Sequence, residues 1–317
     1  MRILAIVNLF GLGTSRRNAS RVLENGHLYI PDDSAWKNLA GWELQRLDAD
    51  IDIVYSCCRC SQGFRTTLAE KLSKCIRPGL DFRIISFDNL YPVRTTFNLA
   101  VMASRKTQSY DYYIYNAGDC YLTKPWMLSE IMGGFSSDDV GQVTEMVDKD
   151  HCPHCFRKLF KRGRRGKEYV DIPLGQYVNN HFTVFSSRLM EQSVHRMIYV
   201  FASCGMEPFM TFWNFANGLR WRLCRSVSLR HEEAHIHGQK KWEFVNGDSF
   251  AALSADGRPY GLGWPGGKVC KRYAYPFSLK VASDRRDRLR TFLASRLFLK
   301  PEEFDYGSAE YSLEWGF

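Results

Sequence analysis

Apolar and polar positions alternate between two periods along the first half of the chain. Residues 3–10 are an apolar run broken only by Asn8, which predicts a buried first strand running into Gly11 and Gly13. Over 36–47 the apolar residues Trp36, Leu39, Ala40, Leu44 and Leu47 return at helical spacing. Residues 52–55 then read as a strand, 64–75 as a helix, 82–87 as a strand and 97–104 as a short helix with one apolar face. A fourth strand, 112–115, ends in the turn Asn116-Ala117-Gly118-Asp119. Strands separated by helices imply βαβ units and a parallel arrangement, with ligands outside the C-terminal ends of the strands. That rule brings Asn8, Ser56 and Asp119 to one crevice.

The second half is less regular. Residues 151–167 read as a loop, 180–185 as a strand and 187–202 as a helix. An aromatic-rich segment, 206–223, is expected to be helical and buried, and 284–299 to be an amphipathic, Arg-rich helix. The glycine-rich stretch 261–267 lacks Walker spacing and is given no phosphate role. Neither an internal repeat nor a low-complexity linker interrupts the chain.

Composition narrows the class. The chain has 317 residues, 45% of them hydrophobic and 24% charged, which describes a globular protein and excludes a disordered one. No apolar run reaches the roughly 18 residues of a membrane span. The N-terminal apolar run is too short for a signal peptide, so a cytoplasmic location is expected. In that compartment the ten cysteines are expected as buried thiols, not as a disulfide framework. A net charge of +9 favours an anionic partner: a nucleotide pyrophosphate, a nucleic acid or an anionic lipid surface. The basic residues cluster at Lys158, Lys161, Arg162, Arg164, Arg165 and Lys167, and again at Arg285, Arg286, Arg288, Arg290 and Arg296. A solvated charged face is the plain alternative for both runs.

The chemistry concentrates in residues 110–122, where an apolar strand ends in small residues and a carboxylate before Thr123-Lys124-Pro125-Trp126 opens a helix. This stretch resembles the donor-site strand of inverting GT-A glycosyltransferases of the family-2 type, whose strand ends in Asp-x-Asp. Arg94 with Asn98-Leu99-Ala100 resembles the family's preceding helix, and Asp139-Val140-Gly141-Gln142-Val143-Thr144 the segment that returns to the sheet. The resemblance covers about residues 1–240 and rests on order and texture. It implies a Rossmann-like mixed α/β sheet flanked by helices, with an irregular α/β C-terminal half. Residues 1–145 would form the nucleotide-sugar half and 146–317 the acceptor half, either as two units or as one continuous GT-A domain.

The implied donor contacts are Asn8, Arg94, Asn98, Asn116, Gly118 and Asp119. A departing nucleoside diphosphate gathers negative charge that a divalent cation on carboxylate oxygens stabilises, so Mn²⁺ or Mg²⁺ at Asp119 is expected. Small residues at 117 and 118 let a diphosphate approach the backbone. Here the sequence departs from the family: Asn116 and Gly118 stand where aspartates are usual, leaving Asp119 as the surviving carboxylate. A metal-independent site using Lys or Arg, or an Asp119 that only caps the next turn, remains the alternative. Leu47-Asp48-Ala49-Asp50 matches Asp-x-Asp literally but precedes a strand, and is set aside.

Inversion needs a base for the acceptor hydroxyl. Gly205-Met206-Glu207-Pro208-Phe209 fits the family's base position, and aromatic neighbours would raise the carboxyl's pKa. A carboxylate that only favours a helix N-terminus is the plain reading of Glu207, and Asp138 and Asp139 are weaker candidates. In the family a C-terminal His often completes the metal site, which points to His235 or His237, two residues that alternation puts on one strand face. Solvated histidines are the alternative. Trp213 and Trp221 are assigned to core packing over sugar stacking.

Cys152-Pro153-His154-Cys155 has the spacing of half a structural zinc site, with His151, His154, Cys57, Cys58 or Cys60 as possible further ligands. The leading expectation is therefore sugar transfer from a nucleotide-sugar to an acceptor hydroxyl, on a glycan or on a hydroxylated DNA base reached by the basic segments. Two alternatives stand beside it: a nucleotidyltransferase, and a zinc-stapled nucleic-acid-binding protein without catalysis.

Overall fold

The computed structural model describes residues 1–10, 32–58, 60–75, 77–87, 93–118, 120–146, 168–172, 181–190, 214, 217–231 and 312–314. The first half alternates as its pattern predicts: β1 (Arg2–Phe10), α1 (Asp32–Leu44), β2 (Asp50–Cys58), α2 (Gln62–Leu72), β3 (Leu80–Phe87), α3 (Val93–Arg105) and β4 (Tyr112–Ala117). Then come β5 (Cys120–Tyr121), α4 (Met127–Gly133), β6 (Val140–Glu145), β7 (Tyr169–Asp171), β8 (Phe182–Ser186), β9 (Arg220–Cys224), β10 (Arg230–His231) and β11 (Ser312–Glu314).

Nine strands form one sheet in the order β11-β3-β2-β1-β4-β8-β6-β9-β7. β1 lies parallel between β2 and β4, with Asn8 opposite Ser56 on one side and Ala117 on the other. Its residues Ile3 to Leu9 are buried on both faces, as suits a continuous apolar run in a covered parallel sheet. β8 runs antiparallel between β4 and β6, so the sheet is mixed while β4 and β6 still point the same way.

One face carries Ile3, Ala5, Val7, Ile51, Ile53 and Ile114, packed with Leu39 and Trp42 of α1, Leu68 and Leu72 of α2, and Leu128 and Ile131 of α4. On the other, Phe97 of α3 meets the Tyr115 ring edge-on at 5.6 Å. α2 starts at Ser61, whose hydroxyl accepts from the Phe64 N–H at 3.2 Å, an N-cap in place of a missing helical acceptor.

Two expectations need correction. The helix expected to reach Leu47 ends at Leu44; Gln45 turns inward instead, donating to the carbonyls of Gly41 and Lys124 at 2.9 Å each. The C-terminal end of the 206–223 segment is strand β9, not helix. Its residues alternate, with Trp221 and Leu223 buried and Arg220 and Arg222 turned outward to Asp171 at 2.9 and 2.8 Å. A short aromatic run cannot reveal which period governs it, and here period two wins. The helix expected over 187–202 is seen at 187–190, and 284–299 and the 261–267 loop lie outside the described residues. No helix among the described residues is long and apolar enough to cross a membrane.

Candidate functional site

The C-terminal ends of β1 and β4 meet at the turn after Ala117. The Gly118 N–H donates to the Asn8 carbonyl at 2.9 Å, and the Ala117 N–H donates to the His181 carbonyl at 2.8 Å. A Cβ on Gly118 would stand 2.4 Å from Leu9 Cδ2 and 2.7 Å from the Asn8 carbonyl oxygen. The second contact is with backbone, which cannot swing aside, so the close approach of β1 already requires glycine here.

Asn116 holds this turn from within. Its Oδ1 accepts from Asn38 Nδ2 at 2.8 Å and Trp42 Nε1 at 3.2 Å. Its Nδ2 donates to the carbonyls of Ala117 at 2.7 Å and Cys120 at 2.9 Å. Asn38 donates a further bond to Cys120 O at 2.7 Å. Asn38 and Trp42 sit four apart on α1, hence on one helix face. Asn116 is 1% exposed and every polar capacity of its amide is met by protein, so its side chain holds the turn's geometry.

Asn8 behaves otherwise. Its Oδ1 accepts from Thr96 Oγ1 of α3 at 2.9 Å, but its Nδ2 is buried with no hydrogen-bond partner among the described residues. Ser56 Oγ, opposite it on β2, is also buried without one. Asn98 is fully buried on α3. Arg94 belongs to the first turn of the same helix.

Beyond the turn, β5 pairs antiparallel with β10, Cys120 opposite His231 and Tyr121 opposite Arg230. The two-stranded ladder brings the start of the His231–His237 stretch against the residue that follows Asp119.

No protein-family model and no curated protein matches the chain. Its architecture does match solved structures. One is a mannosyltransferase from Pyrobaculum calidifontis in complex with GDP-Man and Mn²⁺, at TM-score 0.54 and 12% identity over 95% of this chain and 77% of that one. Another is GalNAc-T7 with UDP, GalNAc and Mn²⁺, at TM-score 0.53 and 9% identity over 93% of this chain and 58% of that one. This chain therefore spans under three fifths of the GalNAc-T7 structure, and at these identities the likeness is one of fold. The chain has a GT-A fold.

Within the GT-A sheet the remaining sequence candidates separate by edge. Asp139 precedes β6 at the end remote from the turn, and Arg220 at 2.7 Å holds its carboxyl down to about 2. The literal Asp48-Ala49-Asp50 motif opens β2 at that same remote edge, where the Asp50 N–H donates to the Met1 carbonyl at 3.1 Å. Trp221 is core, as expected, with its Nε1 donating to Thr144 Oγ1 at 2.9 Å. Asp119, Glu207, His235 and His237 lie outside the described residues, as do Cys152, Cys155 and both basic clusters. Among the described residues no three His, Cys, Asp or Glu side chains gather to hold a metal, Cys57, Cys58 and Cys60 included.

Sequence reasoning missed Glu145, the last residue of β6. Its carboxyl is fully buried, and loss of solvent pushes its pKa up to about 8, against two backbone hydrogen bonds that lower it. A Thr-Glu-Met strand end carries no signal of such burial; only the tertiary ladder produces it.

Proposed function

We propose that the chain is a glycosyltransferase that binds a nucleotide-sugar at the Gly118–Asp119 turn, with a divalent cation held by Asp119. One observation carries the reading: the β5–β10 ladder joins this turn, at the C-terminal edge of a GT-A sheet, to a segment bearing His235 and His237. A carboxylate oxygen suits Mn²⁺, and both structural neighbours described above carry Mn²⁺ in their complexes. The cation would supply charge neutralisation for the diphosphate leaving group.

The chain's own groups supply the rest. Asn116, Asn38 and Trp42 fix the turn, and Gly118 keeps it close to β1. Asn8 presents an uncommitted Nδ2 beside it, and Asn98 and Arg94 stand on α3 behind it. Transfer breaks the bond between the sugar's anomeric carbon and the diphosphate oxygen and forms one to the acceptor oxygen. Glu207 takes the acceptor's proton in an inverting displacement.

The test is thermal stabilisation by UDP, GDP and CMP, with and without Mn²⁺, on wild type and Asp119→Ala. Stabilisation by one nucleotide that needs Mn²⁺ and is lost in the variant is the expected result. Absence of any nucleotide effect, with stabilisation by duplex DNA instead, would overturn the reading.

A further inference from the structure

The transfer chemistry leaves Glu145 unused, although among the described residues it is the one carboxyl buried at the same strand edge as the donor turn. The ladder between β6 and β8 runs as far as Thr144 opposite Thr183. One residue further, Glu145 supplies a side-chain acceptor: its Oε1 takes the Phe182 N–H at 3.2 Å. The carbonyl of that same peptide unit belongs to His181, and it accepts the Ala117 N–H at 2.8 Å. A single peptide group therefore has Glu145 on one side and the donor turn on the other. Hydrogen bonds in series through one peptide polarise each other, so the acceptor at the N–H strengthens the bond at the carbonyl.

The position is specific. Across the sheet, Phe182 stands opposite Asn116, the residue whose amide closes the turn. Asn116 holds the turn's carbonyls through its side chain, while the 181–182 peptide holds its first N–H. Glu145 Oε2 is buried with no partner among the described residues. An acid in a core position that also contains Phe182, Cys224 and Val227 is costly to keep unless the backbone bonds it makes matter.

We propose that Glu145 is a positioning residue for the donor turn, acting through the 181–182 peptide to hold Ala117 and Gly118 in register for a nucleoside diphosphate. The functional half of this rests on the donor-site reading above; the structural half does not.

Two variants separate the roles. Glu145→Gln keeps a carbonyl oxygen for the Phe182 N–H, whereas Glu145→Met has similar length and no comparable acceptor. Amide hydrogen exchange, melting temperature and UDP and GDP affinity with Mn²⁺ are measured for wild type and both variants. In Glu145→Met, exchange at Ala117 and Gly118 rises about tenfold, the size expected for one lost hydrogen bond, while protection of β1 and β2 is kept. Affinity for the bound nucleotide falls by a similar factor, and Glu145→Gln restores both quantities to within about twofold of wild type.

Unchanged exchange at Ala117 in Glu145→Met overturns the proposal. So does loss of protection across the whole sheet, or a Gln variant that behaves like the Met variant. Should Glu145→Met not fold, Glu145→Ala replaces it with the same expectations. If neither nucleotide binds wild type, the donor-site reading fails, and the exchange data alone decide whether Glu145 positions the turn.

Discussion

The two edges of the sheet differ in the polar groups that the described residues place there. At the N-terminal edge charged and polar groups answer one another: Asp52 accepts from Tyr110 at 2.7 Å and from Gln108, with Arg83 at 3.8 Å. The Arg2 backbone N–H donates to Asp111 at 2.8 Å, and its guanidinium to Gln108 at 2.9 Å. At the C-terminal edge, Asn8 Nδ2, Ser56 Oγ, Ser86 Oγ and Glu145 Oε2 are buried with no partner among the described residues. Each sits near the end of its strand. A buried polar group that stays unmatched costs about 1–3 kcal/mol, which makes these four side chains the ones to test. Their edge is the one where ligands bind in open α/β sheets.

The largest effect that tests this contrast is expected at Gly118. Gly118→Ala would press a methyl against the Asn8 carbonyl and lower stability by about 3 kcal/mol, near the top of the range for overpacking, as read from chemical denaturation. Close behind it, Asp52→Ala strips an acceptor from Tyr110 and Gln108 and should cost about 2 kcal/mol. Nucleotide affinity should stay unchanged in that variant; a loss of affinity there would erase the distinction between the edges.

Acidity gives a third comparison. Glu145 keeps its proton up to about pH 8 in the native protein, while its ordinary value is 4.5. Between those values the unfolded chain has released a proton that the native state retains, so this group makes stability fall as pH rises, and the fall ends above pH 8. Melting curves across that window should show the decline in wild type and a flatter line in Glu145→Gln. The smallest effect is expected from Ser56→Ala: losing an unpartnered hydroxyl should leave stability within about 1 kcal/mol of wild type or raise it.

Local pattern carried the strand-helix alternation of the first half and the turn after β4, because each is set by residues near in sequence; the return of 140–144 to the sheet came from the family resemblance. Long-range consequences were illegible. The sequence gives no sign that Asn116 is bonded to Asn38, 78 residues earlier. β9 reads as helix because the aromatic-rich segment that it closes masks the alternation of Trp221 and Leu223 with Arg220 and Arg222. Glu145 reads as an ordinary strand end, since its burial depends on β8 inserting antiparallel beside it.

Gly118 bears on how this turn can change. The family that the sequence resembles places an aspartate there, and restoring it looks like a single substitution. Yet any side chain at 118 begins with a Cβ that the Asn8 carbonyl already excludes, at 2.7 Å. A second carboxylate can enter only after β1 has moved, and β1 is hydrogen-bonded along its length to β2 and β4. The one-carboxylate turn is thus anchored in the backbone of the central strand. Engineering or drift toward the two-carboxylate form must pass through the core before it reaches the site.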